Sequence, residues 1–227
     1  MKLMIAIDGA CRRNGKPDCV AAGGVFMQCY DKDNKLVACK TLAAHENNST
    51  NQRGELLALR ETLEYIMSLP SGSVEALIIT DSEYIFNAMR KTWYINWLGN
   101  NWCTRAGDPV KNTDIWMDIA KSIIVCEARG IDITFYHVKG HCIPFGTVTA
   151  NKILEADQTG AKLLREVHNK FDAVAPTKQK IFDAAFELSE RNNGFRPPND
   201  VFREWVTANV VADAIATKRV DEADMQH

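Results

Sequence analysis

The sequence predicts an α/β fold in which a five-stranded mixed sheet is flanked by helices and followed by a helical C-terminal addition. Two observations lead to this prediction. The spacing of the apolar residues changes from strand-like to helix-like near Thr50. The predicted elements also follow the order βββαβαβα. Strands that come first and then alternate with helices are typical of a mixed sheet with helices packed on its faces.

Five segments are predicted as strands. LMIAID, CVAAGGVFMQCY and KLVACKTLAA would form a three-stranded meander, in which the turn-rich string DKDN joins the second strand to the third. EALIIT is short and continuously apolar, which is typical of a strand that is buried on both faces in parallel pairing. IDITFYHV is the fifth predicted strand, and it leads into the string KGH.

Helices are predicted where apolar residues recur every three or four positions. Leu56, Leu59 and Leu63 lie on one face of a helix that ends before LPSGS. SEYIFNAMRKTWYINWL and TDIWMDIAKSIIVCEAR are two further predicted helices, and the second is amphipathic. A helix over about residues 149–170 is expected to complete a first domain that spans residues 1–170.

Residues 171–227 are predicted to form a helical C-terminal extension. One helix is expected over residues 178–191, and the string PPND begins a second. The second helix has an apolar stripe that must be buried against the domain or against a protein partner, and it consists of Phe202, Trp205, Val206 and Val210. The last residues, VDEADMQH, are expected to fray.

The composition limits the class of protein. Lys and Arg total 27 and Asp and Glu total 29, so a nucleic-acid partner has to be held by a local patch rather than by an overall basic field. Neither a run of the roughly 18 apolar residues that span a membrane nor a signal-peptide core is present. The seven cysteines are scattered and lack close CxxC pairs. We therefore expect a soluble, cytoplasmic protein with reduced thiols and no membrane partner.

Three carboxylates stand at the ends of predicted elements. Asp8 ends the first strand, Glu55 lies one turn into the first long helix, and Asp81 ends the fourth strand. Each alone could shape a turn or cap a helix. The ends of parallel strands face one crevice, however, and clustered carboxylates repel one another. A cluster of this kind is best suited to hold divalent cations, which prefer oxygen ligands.

The strings DGACRRNG, TNQRGEL, TDSEYI and HVKGH occur in the order and approximate spacing of a type 1 ribonuclease H, and PVKNTDIW fits the segment before that family's fourth helix. The resemblance covers about residues 1–170 and implies a ribonuclease H-like fold with a catalytic domain over these residues. It also implies an endonuclease that hydrolyses the RNA strand of RNA/DNA hybrids with two Mg²⁺ ions, for which Mn²⁺ could substitute. The products would carry 3′-hydroxyl and 5′-phosphate ends.

The resemblance also assigns a metal site. It implies that Asp8, Glu55 and Asp81 are the first three of four acidic ligands. For the fourth, the family has Asn, three residues and then Asp, and here Glu155 stands at that spacing from Asn151. The string ADQTGA around Asp157 resembles the family's Ala-Asp-x-x-Ala, so Asp157 is favoured while Glu155 stays open.

Further residues are assigned by their positions in the family motifs. His141 resembles the loop histidine that assists proton movement or product release, and a neutral imidazole suits that role. Short polar side chains match positions that contact the nucleic-acid backbones without reading sequence, namely Asn14, Thr50, Asn51 and Gln52. A tryptophan-rich stretch resembles a basic protrusion that grips the DNA strand, and its cations are Lys91, Arg105 and Lys111. Trp93, Trp97 and Trp116 are expected to lie mainly in the core.

An alternative is a non-catalytic module on the same fold, which would bind hybrids or dock a protein partner through the C-terminal helices. The three carboxylates speak against it, because a binding module has no reason to assemble repelling charges.

Overall fold

A computed structural model describes residues 1–70 and 74–226. Five strands and eight α-helices lie within these ranges, with a short 3₁₀ turn at Ala175–Thr177. The strands are β1 (Lys2–Arg12), β2 (Val20–Tyr30), β3 (Leu36–Asn47), β4 (Glu75–Thr80) and β5 (Asp132–His137). The helices are α1 (Asn51–Ser68), α2 (Glu83–Arg90), α3 (Trp93–Gly99), α4 (Thr113–Ala128), α5 (Thr147–Ala156), α6 (Ala161–Val174), α7 (Gln179–Asn193) and α8 (Asn199–Asp224).

The described strands form one mixed sheet in the order β3-β2-β1-β4-β5. β1, β2 and β3 are antiparallel neighbours, whereas β4 is parallel both to β1 and to β5. The predicted five-stranded mixed sheet with flanking helices is therefore confirmed. A membrane-spanning helix is absent from the described ranges, because every helix there falls short in length or in apolar content.

One face of the sheet is covered by α1 and α4. Leu3, Ile5 and Ile7 alternate along β1 toward this face and are fully buried against the apolar side of α1. Trp116 of α4 is completely buried, and its indole N–H donates a hydrogen bond of 2.7 Å to the hydroxyl of Tyr84. Trp116 therefore lies in the core as predicted. Trp93 and Trp97 are partly buried and pack against the same cluster.

The opposite face is covered by α8, and two adjacent glycines in β2 let a helix approach each face. A Cβ at Gly23 would lie 2.4 Å from the Ala58 nitrogen of α1, and one at Gly24 would lie 2.4 Å from the Ala212 oxygen of α8. Successive strand residues point to opposite faces, so the pair receives one helix on each side. The sheet is held between α1 and α8 at this point.

The C-terminal segment shares this core. All members of the predicted apolar stripe are buried, and the Trp205 ring stacks on Tyr136 of β5 with centroids 4.5 Å apart. α5 and α6 also pack against α8. The stripe packs within this chain, which answers the question that the sequence left open. The contacts cross the predicted boundary at residue 170.

Two predicted helices are each broken in the structure. The helix expected over residues 149–170 ends at Ala156 and restarts at Ala161, because Asp157 leaves the helical path and caps α6 by accepting hydrogen bonds from the backbone N–H groups of Thr159 and Lys162. The helix expected over residues 82–98 is divided into α2 and α3. The break lies at Thr92, whose φ of 50° is left-handed.

Two further expectations are corrected. Cys11 and Cys19 form a disulfide that joins the end of β1 to the residue before β2, so these two cysteines are not reduced thiols. The other five cysteines are free in the described structure. The C-terminal residues do not fray before Asp224. Asp221 accepts a hydrogen bond of 2.7 Å from Arg12, and Asp224 accepts one of 3.0 Å from Arg13, which holds the end of α8 beside β1.

Candidate active site

The three predicted carboxylates meet at one end of the β1–β4 pair. Ile7 of β1 lies opposite Thr80 of β4 in parallel register, so the next residues, Asp8 and Asp81, lie side by side. Glu55 reaches them from the first turns of α1. One oxygen of each carboxylate lies within 4.8 Å of those of the other two. Glu55 and Asp81 thus form one cluster with Asp8, although they lie 47 and 73 positions after it in the chain.

Close packing brings α1 to this cluster. A Cβ on Gly9 would lie 2.5 Å from the Glu55 nitrogen, so the absence of a side chain at this position lets the helix approach β1. The Gly9 N–H donates a hydrogen bond of 2.7 Å to the Asp8 carboxylate. Asp8 therefore supplies a carboxylate to the cluster, and Gly9 leaves the space that Glu55 and its helix need.

Burial and mutual repulsion disfavour the charged forms of these acids. Asp8 and Glu55 are only 5% and 8% exposed. Burial, followed by the neighbouring carboxylates, raises the pKa of Asp8 well above its ordinary value. Burial raises the pKa of Glu55 to about 8, and the charge of Asp81 acts in the same direction. Burial also raises the pKa of Asp81, while the nearby His141 imidazole lowers it.

The donor set fits divalent cations. Oε2 of Glu55 is buried and has no hydrogen-bond partner among the described residues, although a buried polar atom is normally satisfied. The remaining donors are carboxylate oxygens, which are the ligands that Mg²⁺ and similar hard cations prefer. A cation here would satisfy the orphaned oxygen and offset the repulsion that raises the three pKa values.

A fourth carboxylate approaches from α8. Asp213 lies outside the tight trio, but its charge raises the pKa of each of the three acids. Burial raises the pKa of Asp213 itself, and hydrogen bonding from Thr217 opposes that rise. One turn earlier on α8, the buried Asn209 places its amide nitrogen 3.5 Å from the Asp8 carboxylate. α8 therefore brings both a charge and a hydrogen-bond donor to the cluster.

The structure does not bring Asp157 or Glu155 into the carboxylate cluster. The Asp157 carboxylate accepts hydrogen bonds from Thr159 and Lys162 and lies near Cys39 of β3, away from the end of β4. These hydrogen bonds lower the pKa of Asp157, as expected for a helix cap. Glu155 is exposed on α5. Neither predicted candidate for the fourth acid therefore lies at the cluster, whereas Asp213 is near enough to act on the pKa of all three acids.

Sequence reasoning missed Asp213 although a signal was present. The string NVVADAIA over residues 209–216 contains Asn, three residues and Asp, and it also contains Ala-Asp-x-x-Ala. The Asn spacing and the Ala-Asp-x-x-Ala string thus both point to Asp213. In the region before residue 160, the Asn spacing points to Glu155 and the Ala-Asp string points to Asp157. The distance of NVVADAIA from β5 hides this signal, because α5, α6 and α7 intervene between β5 and α8.

His141 lies beside the cluster on the loop after β5. Its side chain is exposed and its φ is 57°, in the left-handed region. Its imidazole is close enough to Asp81 and Asp213 to lower the pKa of both. With Asp213 and Thr217, it lines a cavity of about 420 Å³ between the loop and α8. An imidazole in this position can exchange protons with the site and with solvent.

The predicted nucleic-acid contacts fall into two groups. In the first, Asn14 and the start of α1 are joined, because the Asn14 side-chain oxygen accepts a hydrogen bond of 3.4 Å from the Asn51 backbone N–H. Thr50 is the N-cap of α1 and is followed by Asn51 and the exposed Gln52. The second group is exposed between α2 and α4 and consists of Lys91, Arg105 and Lys111.

Comparisons with known proteins agree with this fold. The RNase H family model matches residues 1–162. Ribonuclease H of Rickettsia bellii (strain RML369-C) is 33% identical over 165 residues, which cover 72% of this chain and 94% of that protein. Ribonuclease H of Chlorobium phaeobacteroides (strain BS1) is 34% identical over 140 residues, which cover 62% and 84% of the two chains.

A solved structure shows the same architecture. LC9-RNase H1, described as a type 1 RNase H with the type 2 active-site motif, superposes with a TM-score of 0.52 at 20% identity and covers 62% of this chain and 64% of that one. Asp213 lies beyond the residues that the family model matches. The family match, the curated relatives and the fold agree, and the chain therefore belongs to the RNase H family of metal-dependent endoribonucleases.

Proposed function

We propose that this protein hydrolyses the RNA strand of RNA/DNA hybrids at a two-metal site formed by Asp8, Glu55, Asp81 and Asp213. The observation that carries the proposal is the cluster of three carboxylates within 4.8 Å, two of them buried, with one Glu55 oxygen lacking a hydrogen-bond partner among the described residues. Its products would carry 3′-hydroxyl and 5′-phosphate ends, and Mg²⁺ is the cation that suits an all-oxygen site.

Each residue has a distinct part in this proposal. Two bound cations would activate the attacking water and stabilise the departing oxygen. Asp8, Glu55 and Asp81 would hold cations from the sheet side of the site, and Asp213 would hold them from α8. Asn209 would orient the Asp8 carboxylate through its amide. The exposed His141 imidazole would accept a proton at a ring nitrogen and pass it to solvent.

The substrate would lie across the two groups of polar residues. Asn14, Thr50, Asn51 and Gln52 present amide and hydroxyl groups, which can reach 2′-hydroxyls and phosphates across a minor groove. The cations of the second group would attract phosphates, and they are Lys91, Arg105 and Lys111. None of these contacts distinguishes one base from another, so cleavage would show little sequence preference.

Cleavage of an end-labelled RNA/DNA hybrid by the purified protein in Mg²⁺ tests this proposal. RNA duplex and DNA duplex serve as substrate controls, and Asp81→Asn serves as the variant control. We expect nicking of the RNA strand in the hybrid alone and its loss in the variant. A hybrid that is bound but survives in both Mg²⁺ and Mn²⁺ would overturn the catalytic assignment and favour a binding module on the same fold.

A further inference from the structure

The side chain of Asn193, at the end of α7, pairs with the main chain of His137, at the end of β5. Its oxygen accepts a hydrogen bond of 2.8 Å from the His137 N–H, and its amide nitrogen donates one of 2.9 Å to the His137 carbonyl. A carboxamide carries the same donor and acceptor as a peptide group. Asn193 therefore occupies the position that a further strand would take beside β5.

This pairing satisfies backbone hydrogen-bonding groups on the outer side of an edge strand. β5 is the last strand of the sheet, and its inner side is bonded to β4 through the Val138 N–H and the Thr80 carbonyl, at 3.0 Å. The backbone groups of His137 point outward, where a buried, unpaired N–H or C=O is costly. His137 and Asn193 are only 2% and 7% exposed, so water cannot replace the amide easily.

Neighbouring residues fix the amide in place. The hydroxyl of the fully buried Ser189, one turn earlier on α7, donates a second hydrogen bond of 3.1 Å to the His137 carbonyl. The guanidinium of Arg90 donates a hydrogen bond of 2.7 Å to the Asn193 carbonyl, which ties the end of α7 to α2. The hydrogen bonds form one connected network, in which removal of one member weakens the others.

The strand end that Asn193 holds leads directly into the active-site loop. Only three residues separate His137 from His141. Between them, Gly140 packs so closely on Asp81 that a Cβ there would overlap the carboxylate, at 1.8 Å from Oδ2. Because Gly140 already abuts Asp81, the loop has no room to move toward the carboxylates, and a small displacement of His137 would instead change the position of the His141 ring.

We propose that Asn193 is a positioning residue that sets the place of the His141 loop by clamping the end of β5. α7 lies beyond the residues that the family model matches, so this clamp belongs to the additional helices of this chain. The inference rests on the proposed function, because it assigns Asn193 an effect on turnover that passes through His141. Asn193 itself lies outside the carboxylate cluster.

A double-mutant cycle tests the clamp. kcat and KM for hybrid cleavage are measured for the wild type, Asn193→Ala, His141→Ala and the double variant, at a temperature where all four are folded. We expect Asn193→Ala to lower kcat about tenfold with KM within about twofold. In the His141→Ala background the same change should lower kcat less than about twofold. Equal losses in both backgrounds would overturn the proposal.

Two controls separate positioning from general destabilisation. Phe182→Leu alters another buried residue of α7, in contact with Phe171 but remote from His137, and should lower the melting temperature without the loss of kcat. If it reduces kcat as much as Asn193→Ala at a similar melting temperature, Asn193 has no special role. Ser189→Ala removes only the second donor, so a smaller kcat loss is expected should Asn193→Ala fail to fold.

Hydrogen exchange supplies a readout that does not depend on activity. The His137 amide should be protected in the wild type and should exchange much faster in Asn193→Ala, while the amides of β1 keep their protection. Unchanged protection of His137 would contradict the clamp. A wild-type protein that does not cleave the hybrid would count against the proposed function instead, and the exchange result would still test the clamp.

Discussion

Asp157 and Asp213 have the same side chain and opposite environments. The Asp157 carboxylate accepts hydrogen bonds from the Thr159 hydroxyl and from the backbone N–H of Lys162. These hydrogen bonds lower the pKa of Asp157, so its charge is satisfied without a cation. Asp213 is partly buried opposite three other carboxylates, and burial raises its pKa. A carboxylate that is poorly satisfied by the protein is the better candidate for a metal ligand.

This contrast predicts opposite outcomes for matched substitutions. Asp213→Asn should lower kcat by about 100-fold, because the neutral amide cannot contribute a charge to the cation site. Asp157→Asn should leave kcat within about twofold and cost about 1 kcal/mol of stability through the weakened cap. Steady-state cleavage assays and thermal melts of both variants measure these effects. Loss of activity in Asp157→Asn with retention in Asp213→Asn would reverse the assignment.

The buried carboxylates also predict how the stability of the metal-free protein depends on pH. The pKa of Glu55 is about 8 in the folded protein against an ordinary value of 4.5, so the folded state binds more protons between these values. The free energy of unfolding should therefore fall as the pH rises from about 4.5 to 8. The total loss from this group is on the order of a few kcal/mol.

Denaturant melts of the wild type and Glu55→Gln in chelator, at pH 5.5 and pH 8, measure this effect. The wild type should lose more stability than the variant over this interval, since the amide does not titrate. Addition of Mg²⁺ should restore wild-type stability at pH 8, because a cation that binds only the folded state stabilises it. Parallel pH profiles for the two proteins would contradict the assignment of the titrating group.

At the scale of elements, the site depends on how closely α8 approaches β2. A Cβ on Gly24 would lie 2.4 Å from both the Ala212 oxygen and the Ala216 nitrogen, and Asp213 lies between these two alanines in sequence. Small residues on both partners allow this approach, so the string GG in β2 and the alanines of α8 act together. The distance between helix and strand sets where the Asp213 carboxylate lies relative to Asp8.

A single added methyl group tests this dependence. Gly24→Ala should push α8 outward, lower the stability by about 1–3 kcal/mol and reduce kcat strongly, because Asp213 moves with the helix. Gly99→Ala is the matched control, since no atom lies within 4 Å of its added Cβ, and it should be neutral or slightly stabilising. Melting temperature and kcat are measured for both. Full activity in Gly24→Ala would show that the α8 position is not critical.

At the scale of the whole molecule, the C-terminal segment completes the catalytic core. α8 covers β1 and β2, and its last turns pair with Arg12 and Arg13, at the far end of β1. α5 and α6 also contact α8. The described chain therefore packs α1 on one face of the sheet and α8 on the other, and α7 contacts β5, although the sequence predicts a domain that ends at residue 170.

Truncation tests how far this core depends on its last helix. A chain of residues 1–170 should not unfold cooperatively and should not cleave the hybrid, because the apolar face of β1 and β2 would be exposed. A chain that ends at Asp224 keeps all of α8 and should retain the wild-type melting temperature and kcat. Circular dichroism melts and the cleavage assay compare the two chains. A folded, active 1–170 chain would restore the predicted boundary.

The order and type of the strands, the mixed sheet and the convergence of Asp8 with Asp81 could all be predicted from sequence patterns. These depend on local periodicity and on the parallel pairing that places successive strand ends at one edge. Residue motifs likewise identified Glu55 and His141, which lie beside that edge. Such features could be predicted because their signals lie within short stretches of the chain.

The tertiary structure was needed to see which distant acid approaches the cluster, where the apolar stripe of α8 is buried and what is bonded to the end of β5. Asp8 and Asp213 are separated by more than 200 residues, and their proximity depends on α8 crossing the sheet after three intervening helices. Apolar periodicity shows that a helix face must be buried but not against which surface. The same acid can cap a helix or face a cation, and the packing around it determines which role it takes.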